Sequence, residues 1–220
     1  MARILFGIPL FSPDERFTES LPSFLNEVSK KHEICCLSIY KQPLVDAQNM
    51  IADFFLKSRF NYLCLLEDDH WRHLPEMVDA LLELDAKVSA MNYHSRWFPY
   101  YTCLMREVHP DKPLERFAGY SDNSGSHECD MAGMAMMLIK REVFSMLDKP
   151  YFRVNKDGGP GTYATDIDFS ERLAKLNIKP MGCFDYCLAH RDITHENFFE
   201  KRSKELLEHN RNKRKKVGLI

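Results

Sequence analysis

The chain has no window approaching the 18 or more apolar residues of a membrane span. Its N-terminus, MARILFGIPLFSPDE, has an apolar stretch too short for the core of a signal peptide, and Pro9 and Pro13 interrupt it. There is no internal repeat, and no linker separates two folding units. Net charge is nearly absent: thirty basic against thirty-two acidic residues leave −2, which argues against bulk nucleic-acid or membrane binding. Glycine is sparse where a phosphate-cradling loop would need it, with one in GIPLFSPDER. The cysteines number seven, an odd count that does not make a disulfide framework. With no leader, this predicts a reduced, cytoplasmic protein whose cysteines are mostly core filler.

What is present fits a folded domain. Hydrophobic residues make up 45% and charged residues 28% of 220 positions, which excludes whole-chain disorder. A single domain over 1–220 is expected, with a basic tail at 201–220 that includes KRSKELLEHNRNKRKK. That tail reads as a solvated helix, with peripheral contact to an anionic membrane as the alternative.

Hydrophobic patterning predicts alternating strands and helices. Arg3–Pro9, Glu33–Tyr40, Asn61–Leu66 and Lys87–Met91 read as strands. Glu15–Lys30, Asp46–Arg59 and Pro75–Ala86 read as helices. That order is the signature of βαβ units and a parallel sheet. Beyond it, Asp111–Cys129 reads as loop and Asp130–Ile139 as a small apolar run. Lys140–Leu147 reads as a short helix, Asn155–Thr162 as a glycine-rich loop, Asp166–Leu176 as a helix and Pro180–Leu188 as a final strand.

The feature richest in chemistry is Glu67-Asp68-Asp69 directly after NYLCLL. Three adjacent carboxylates at the mouth of a buried strand repel one another and need a cation or polar partners. Ligands of open α/β sheets bind outside the carboxyl ends of the strands, and hard oxygen donors suit Mg²⁺ or Mn²⁺. The competing reading is a solvated acidic turn. His70 and His73 read as helix-start or surface residues.

FNYLCLLEDDHWRH resembles the strand and DxD-type motif of GT-A-fold, family 2-like glycosyltransferases. Other segments match in the same order. RILFGIPLF resembles the first strand and nucleotide loop, and VDAQNMIADFFLKSRFNYL the helix leading into the DxD strand. DMAGMAMMLIKREVF resembles the acceptor-side segment, and TDIDFSERLAKLNIKPMGCFDYCLAH the catalytic helix and a strand ending in histidine. The resemblance spans about 3–195. It implies an α/β, Rossmann-like nucleotide-diphospho-sugar transferase fold with a mixed, mostly parallel sheet flanked by helices. A nucleotide-sugar half would run to about residue 92 and an acceptor half over about 93–200.

The implied activity is metal-dependent transfer of a sugar (hexosyl or related) from a nucleoside-diphosphate sugar to a hydroxyl of a glycan, lipid-linked or protein acceptor. The implied cofactor is Mn²⁺ or Mg²⁺, held by Asp69, Glu67 and His190. Pro9, Phe11, Gln48, Asn49, Glu67 and Asp68 would contact the nucleotide, and Asp166 would be the base of an inverting reaction. The sequence departs from the pattern at Glu67 for Asp, Gln48 for Arg and Thr165 for Glu. These departures favour the alternative of a non-catalytic nucleotide- or glycan-binding module. A nucleotidyltransferase is the other alternative, opposed by the glycine-poor N-terminal loop.

Read without the resemblance, Asp166 is a helix N-terminal acid worth about 0.5–2 kcal/mol, with Asp168 its neighbour and competitor. His190 is then a hydrogen-bonded core histidine. Cys183, Cys187, His190 and His195 do not match common zinc spacings. Trp97, Phe98, Tyr100 and Tyr101 fit either a sugar-stacking platform or aromatic core.

Overall fold

The computed structural model describes residues 1–94, 102–108, 116–120, 124–154 and 165–191. The aromatic run at 97–101, the loop at 155–162, His195 and the basic tail lie outside the described residues.

The elements in chain order are β1 (Arg3–Leu10), α1 (Glu15–Ser29), β2 (Glu33–Tyr40), α2 (Leu44–Lys57), β3 (Tyr62–Leu66), β4 (His70–Trp71), α3 (Pro75–Glu83) and β5 (Val88–Tyr93). They continue with β6 (Leu104–Glu107), β7 (Phe117–Gly119), β8 (Ser126–Glu128), β9 (Met131–Ala132), β10 (Met136–Lys140), α4 (Arg141–Met146), α5 (Thr165–Lys175) and β11 (Met181–His190). The main sheet runs β2-β1-β3-β10-β5-β11-β4, with β8 paired to β11. Strands β1, β2 and β3 are mutually parallel, as are β5 and β11, while β10 runs antiparallel between β3 and β5. Because β10 reverses direction twice over, β5 and β11 point the same way as β1 and β3. The carboxyl ends of β1, β3, β5 and β11 therefore share one edge of the sheet, where α/β folds bind ligands.

Side-chain alternation divides the core. On β1, Ile4, Phe6 and Ile8 face α1 and α3, packing with Phe17, Phe24, Val28 and Leu81. Leu5 faces the other way, with Ile51 and Phe55 of α2. Strand β3 repeats the split, with Cys64 and Leu66 on one side and Leu63 and Leu65 on the other. A strand buried on both faces has no polar side to show, which explains the continuous apolar runs RILFGIP and YLCLL. Gly7 is required here: a Cβ on it would stand 2.3 Å from Ile51 Cγ2.

Most element expectations hold within a few residues. Helix α2 starts at Leu44 rather than Asp46, just after Pro43. Helix α3 ends at Glu83 because Asp85 adopts φ +46°, a left-handed conformation that stops a helix. Three expectations need correction. Segment 111–129 is not all loop, since β7 and β8 form within it, β7 against β6 and β8 against β11. His73 is buried rather than superficial, packing its ring on Phe17 and Phe24. His70 is 2% exposed, neither a surface residue nor the start of a helix. Both histidines are drawn in by β4, a two-residue strand that docks on β11 before the chain reaches α3.

Candidate functional site

Three chain segments meet at the shared strand edge: the loop after β1, the turn after β3 and the end of β11. Main-chain hydrogen bonds tie them. Asp14 N–H donates to the Asp68 carbonyl at 2.8 Å, and Arg191 N–H donates to the Asp69 carbonyl at 2.9 Å. The Asp68 carboxylate accepts from the N–H groups of Phe11 and Ser12 at 2.8 and 2.9 Å. The Arg191 guanidinium donates to the Ser12 carbonyl, and Arg16 donates to the Arg191 carbonyl at 2.9 Å. Arg16 also grips the Asp14 carboxylate, and that guanidinium holds the Asp14 carboxyl below its usual range.

Within this frame the donor atoms of Asp69, His70 and His190 lie within 4.8 Å of one another. The register of β4 on β11 places His70 opposite His190, and their rings stack with centroids 4.4 Å apart at 26°. His190 Nε2 is 3.2 Å from Asp69 Oδ2, and His70 Nδ1 is 2.8 Å from Asp69 Oδ1. Burial alone would raise the Asp69 carboxyl. The hydrogen bonds and positive potential of His190 and His70 outweigh it and hold Asp69 well below the carboxylate range. Glu67 stands outside this group, its carboxylate 3.7 Å from His70 Nδ1.

An open cleft of about 470 Å³ borders the cluster, lined by Pro9, Phe11, Gln42, Pro43, Leu44, Glu67, Asp68 and Asp69. Its volume suits a small-molecule ligand. Phe11 is 69% exposed, an uncommon state for a phenylalanine. Gln48 and Asn49 lie on α2 and do not line this cleft. Gln48 is buried, with its amide nitrogen 3.4 Å from Met134 Sδ, and its Oε1 has no partner among the described residues. Asn49 spends its side chain on the fold, donating to the Val45 and Phe152 carbonyls and accepting from Phe152 N–H.

Asp166 opens α5, and its Oδ1 accepts its neighbour Ile167 N–H at 2.9 Å. Burial pushes its carboxyl up to about 6, while backbone N–H groups pull it partly back. Asp168 is shifted up less far, because Arg172 and Arg153 oppose its burial. Tyr93 packs against the cluster. Its ring meets His70 edge-on with centroids 4.5 Å apart. Burial first, then the neighbouring Cys103, Glu67 and Asp166, raise its hydroxyl well above the ordinary value. A buried phenol is thus fixed against the His70 ring.

Sequence reasoning missed His70 and Tyr93. Tyr93 carried a usable signal, since it ends a buried strand parallel to the one before Glu67. His70 follows the carboxylates directly, but nothing local announces that it turns inward. The zinc reading gains no support: Cys183 and Cys187 are separated by a register shift in β11, and Cys187 Sγ sits 3.6 Å from His94 Nδ1.

No protein-family model matches the chain, and no curated protein matches it. Among solved structures the chain is similar to A197 from STIV, at 19% identity over 86% of this chain and 85% of that one, with a TM-score of 0.59. It is also similar to glucosyl-3-phosphoglycerate synthase from Mycobacterium tuberculosis, a structure with Mn²⁺, UDP-glucose and phosphoglyceric acid. There the identity is 10% over 99% of this chain and 81% of that one, with a TM-score of 0.50. No helix among the described residues is long and apolar enough to cross a membrane. At these identities the likeness is one of architecture: the chain has the mixed α/β, Rossmann-like fold of nucleotide-diphospho-sugar transferases.

Proposed function

We propose that this protein transfers a sugar from a nucleoside-diphosphate sugar to an acceptor hydroxyl. The observation that carries the reading is the meeting of Asp69 and His190 at the carboxyl edge of the sheet, beside a cleft lined in part by Pro9 and Phe11. A carboxylate and an imidazole at that edge have the donor chemistry for Mn²⁺ or Mg²⁺, with Glu67 alongside. Such an ion supplies Lewis acidity toward the diphosphate leaving group. The exposed Phe11 ring offers a flat apolar face to the nucleotide base, and Asp68 holds the loop that carries it.

Asp166 serves as the base. Its raised carboxyl is mostly ionised at neutral pH, yet it is a better proton acceptor than an ordinary aspartate. It takes the proton from the acceptor hydroxyl as that oxygen bonds to the anomeric carbon and the diphosphate departs, which is an inverting displacement. Thr165 beside it is buried and carries no acid, so one carboxylate does this work alone.

The test is a thermal-shift and calorimetric screen of nucleoside diphosphates and sugar nucleotides, with and without Mn²⁺. The favoured donor at about 100 times its Kd should stabilise the fold by about 2.7 kcal/mol in the presence of the ion. No binding of any nucleoside diphosphate with Mn²⁺ present would overturn the reading. Slow Mn²⁺-dependent donor hydrolysis separates a transferase from a binding module on the same fold.

A further inference from the structure

We propose that His70 is a third protein ligand of the cation, and that the resulting one-carboxylate, two-imidazole set selects a first-row transition ion such as Mn²⁺ over Mg²⁺. The proposal rests on the cation site described above and adds its composition.

The geometry of the donors comes first. The His70 and His190 nitrogens lie 2.8 and 3.2 Å from the two oxygens of Asp69. Neighbouring donors around one ion, with bonds of about 2.1 Å, stand about 3 Å apart. The placement is built by main chain rather than by reach. His70 and His190 are partners in the β4–β11 ladder, and Arg191 N–H bonds the Asp69 carbonyl, so all three donors hang from hydrogen-bonded backbone. Tyr93 packs against the His70 ring, with centroids 4.5 Å apart.

Burial and charge argue for the same occupant. Two imidazoles stacked at 4.4 Å and almost fully buried turn donor atoms toward the same carboxylate. A divalent ion bonded to both nitrogens would offset the charge of the Asp69 carboxylate. His190 turns Nε2 to Asp69, and its Nδ1 is buried with no partner among the described residues. Glu67 stands at the rim of the donor group, its carboxylate 3.7 Å from the same His70 Nδ1 that faces Asp69.

The donor set decides the ion. Mg²⁺ favours oxygen ligands and keeps its waters, whereas imidazole nitrogen suits transition ions. A pair of carboxylates would not discriminate in this way.

The experiment uses the full chain with Mn²⁺ alone, without nucleotide, observed by pulsed electron paramagnetic resonance. The wild type should show two coupled imidazole nitrogens, and Mg²⁺ should displace Mn²⁺ only at more than about a tenfold excess. His70→Gln should show one nitrogen and bind Mn²⁺ about 10–100-fold more weakly. One or no nitrogen in the wild type overturns the proposal, whether or not the variant folds, and so does displacement by equimolar Mg²⁺. Nucleoside-diphosphate binding with a single coupled nitrogen would sink the His70 assignment and leave the transferase reading standing. Two nitrogens with no nucleoside-diphosphate binding would do the reverse.

Discussion

Asp68 Oδ2 accepts the backbone N–H of Phe11 at 2.8 Å, across 57 residues of sequence. The middle carboxylate of the acidic triplet therefore holds the loop after β1, while its neighbour Asp69 faces the histidines.

That division predicts a selective defect. Asp68→Ala leaves the N–H groups of Phe11 and Ser12 without their acceptor and should weaken nucleoside-diphosphate binding about tenfold, since a hydrogen bond to a charged group is worth about 1.5–3 kcal/mol. Asp68→Asn keeps an acceptor oxygen and should bind near normally. Calorimetry with Mn²⁺ present checks the pair; equal losses in both variants would mean that the charge, not the bond, matters.

Asp166 should leave two pH signatures. As a base it must be ionised, so transfer should fall as pH drops below about 6. Its effect on stability has the opposite sense. The folded-state pKa of about 6 lies above the ordinary 3.8, so the folded chain holds a proton that the unfolded chain releases. Stability is greatest below the lower value and declines as pH rises through the interval, by on the order of 2 kcal/mol. Asp166→Asn should therefore abolish transfer, spare donor binding, and raise the melting temperature at neutral pH but not near about pH 4. Near-normal turnover in that variant would refute the assignment.

Gly133 faces the Tyr93 ring so closely that an added Cβ would stand 2.0 Å from its hydroxyl oxygen and 2.6 Å from Cζ. Gly133→Ala must push the ring, and Tyr93 braces His70. The cost should be about 1–3 kcal/mol in denaturant unfolding. Mn²⁺ affinity should fall with it. An unchanged affinity in a folded variant would show that the ring does not steady the histidine.

Arg141 closes the end of α2. Its guanidinium donates to the carbonyls of Phe60 at 2.9 Å, Leu56 at 3.1 Å, Phe55 at 2.9 Å and Ser58 at 2.8 Å, and it lies 4.5 Å over the Phe55 ring. Those of Phe55, Leu56 and Ser58 belong to the last turn and cap of α2, where a helix leaves carbonyls without helical partners, and that of Phe60 to the turn beyond it. Arg141→Ala should destabilise the fold by about 2–4 kcal/mol, measured by urea unfolding. Arg141→Lys should recover only part, because a compact ammonium cannot reach four carbonyls at once.

Much of the fold was legible because it rests on near neighbours. Apolar runs such as RILFGIP and YLCLL, with helices at 3.6-residue spacing between them, determine βαβ units. The position of Glu67–Asp69 directly after β3 determines that carboxylates sit at the carboxyl edge of the sheet. The motif order carried the choice of Asp69, Asp166 and His190 as candidates. Less was legible where short strands form by docking. β4, β7 and β8 are two or three residues long and carry no periodicity of their own, so 117–119 and 126–128 looked like loop.

What the amino-acid sequence alone determined, then, is the layered α/β architecture and the edge at which chemistry is possible, since both follow from residues within a few positions of one another. The tertiary structure decided which groups meet there. His190 reaches Asp69 across 121 residues. His70 turns inward because a two-residue strand pairs with β11, and Asp68 is spent on the Phe11 loop. Such meetings depend on strand register and backbone hydrogen bonds between distant segments, and no local pattern encodes them.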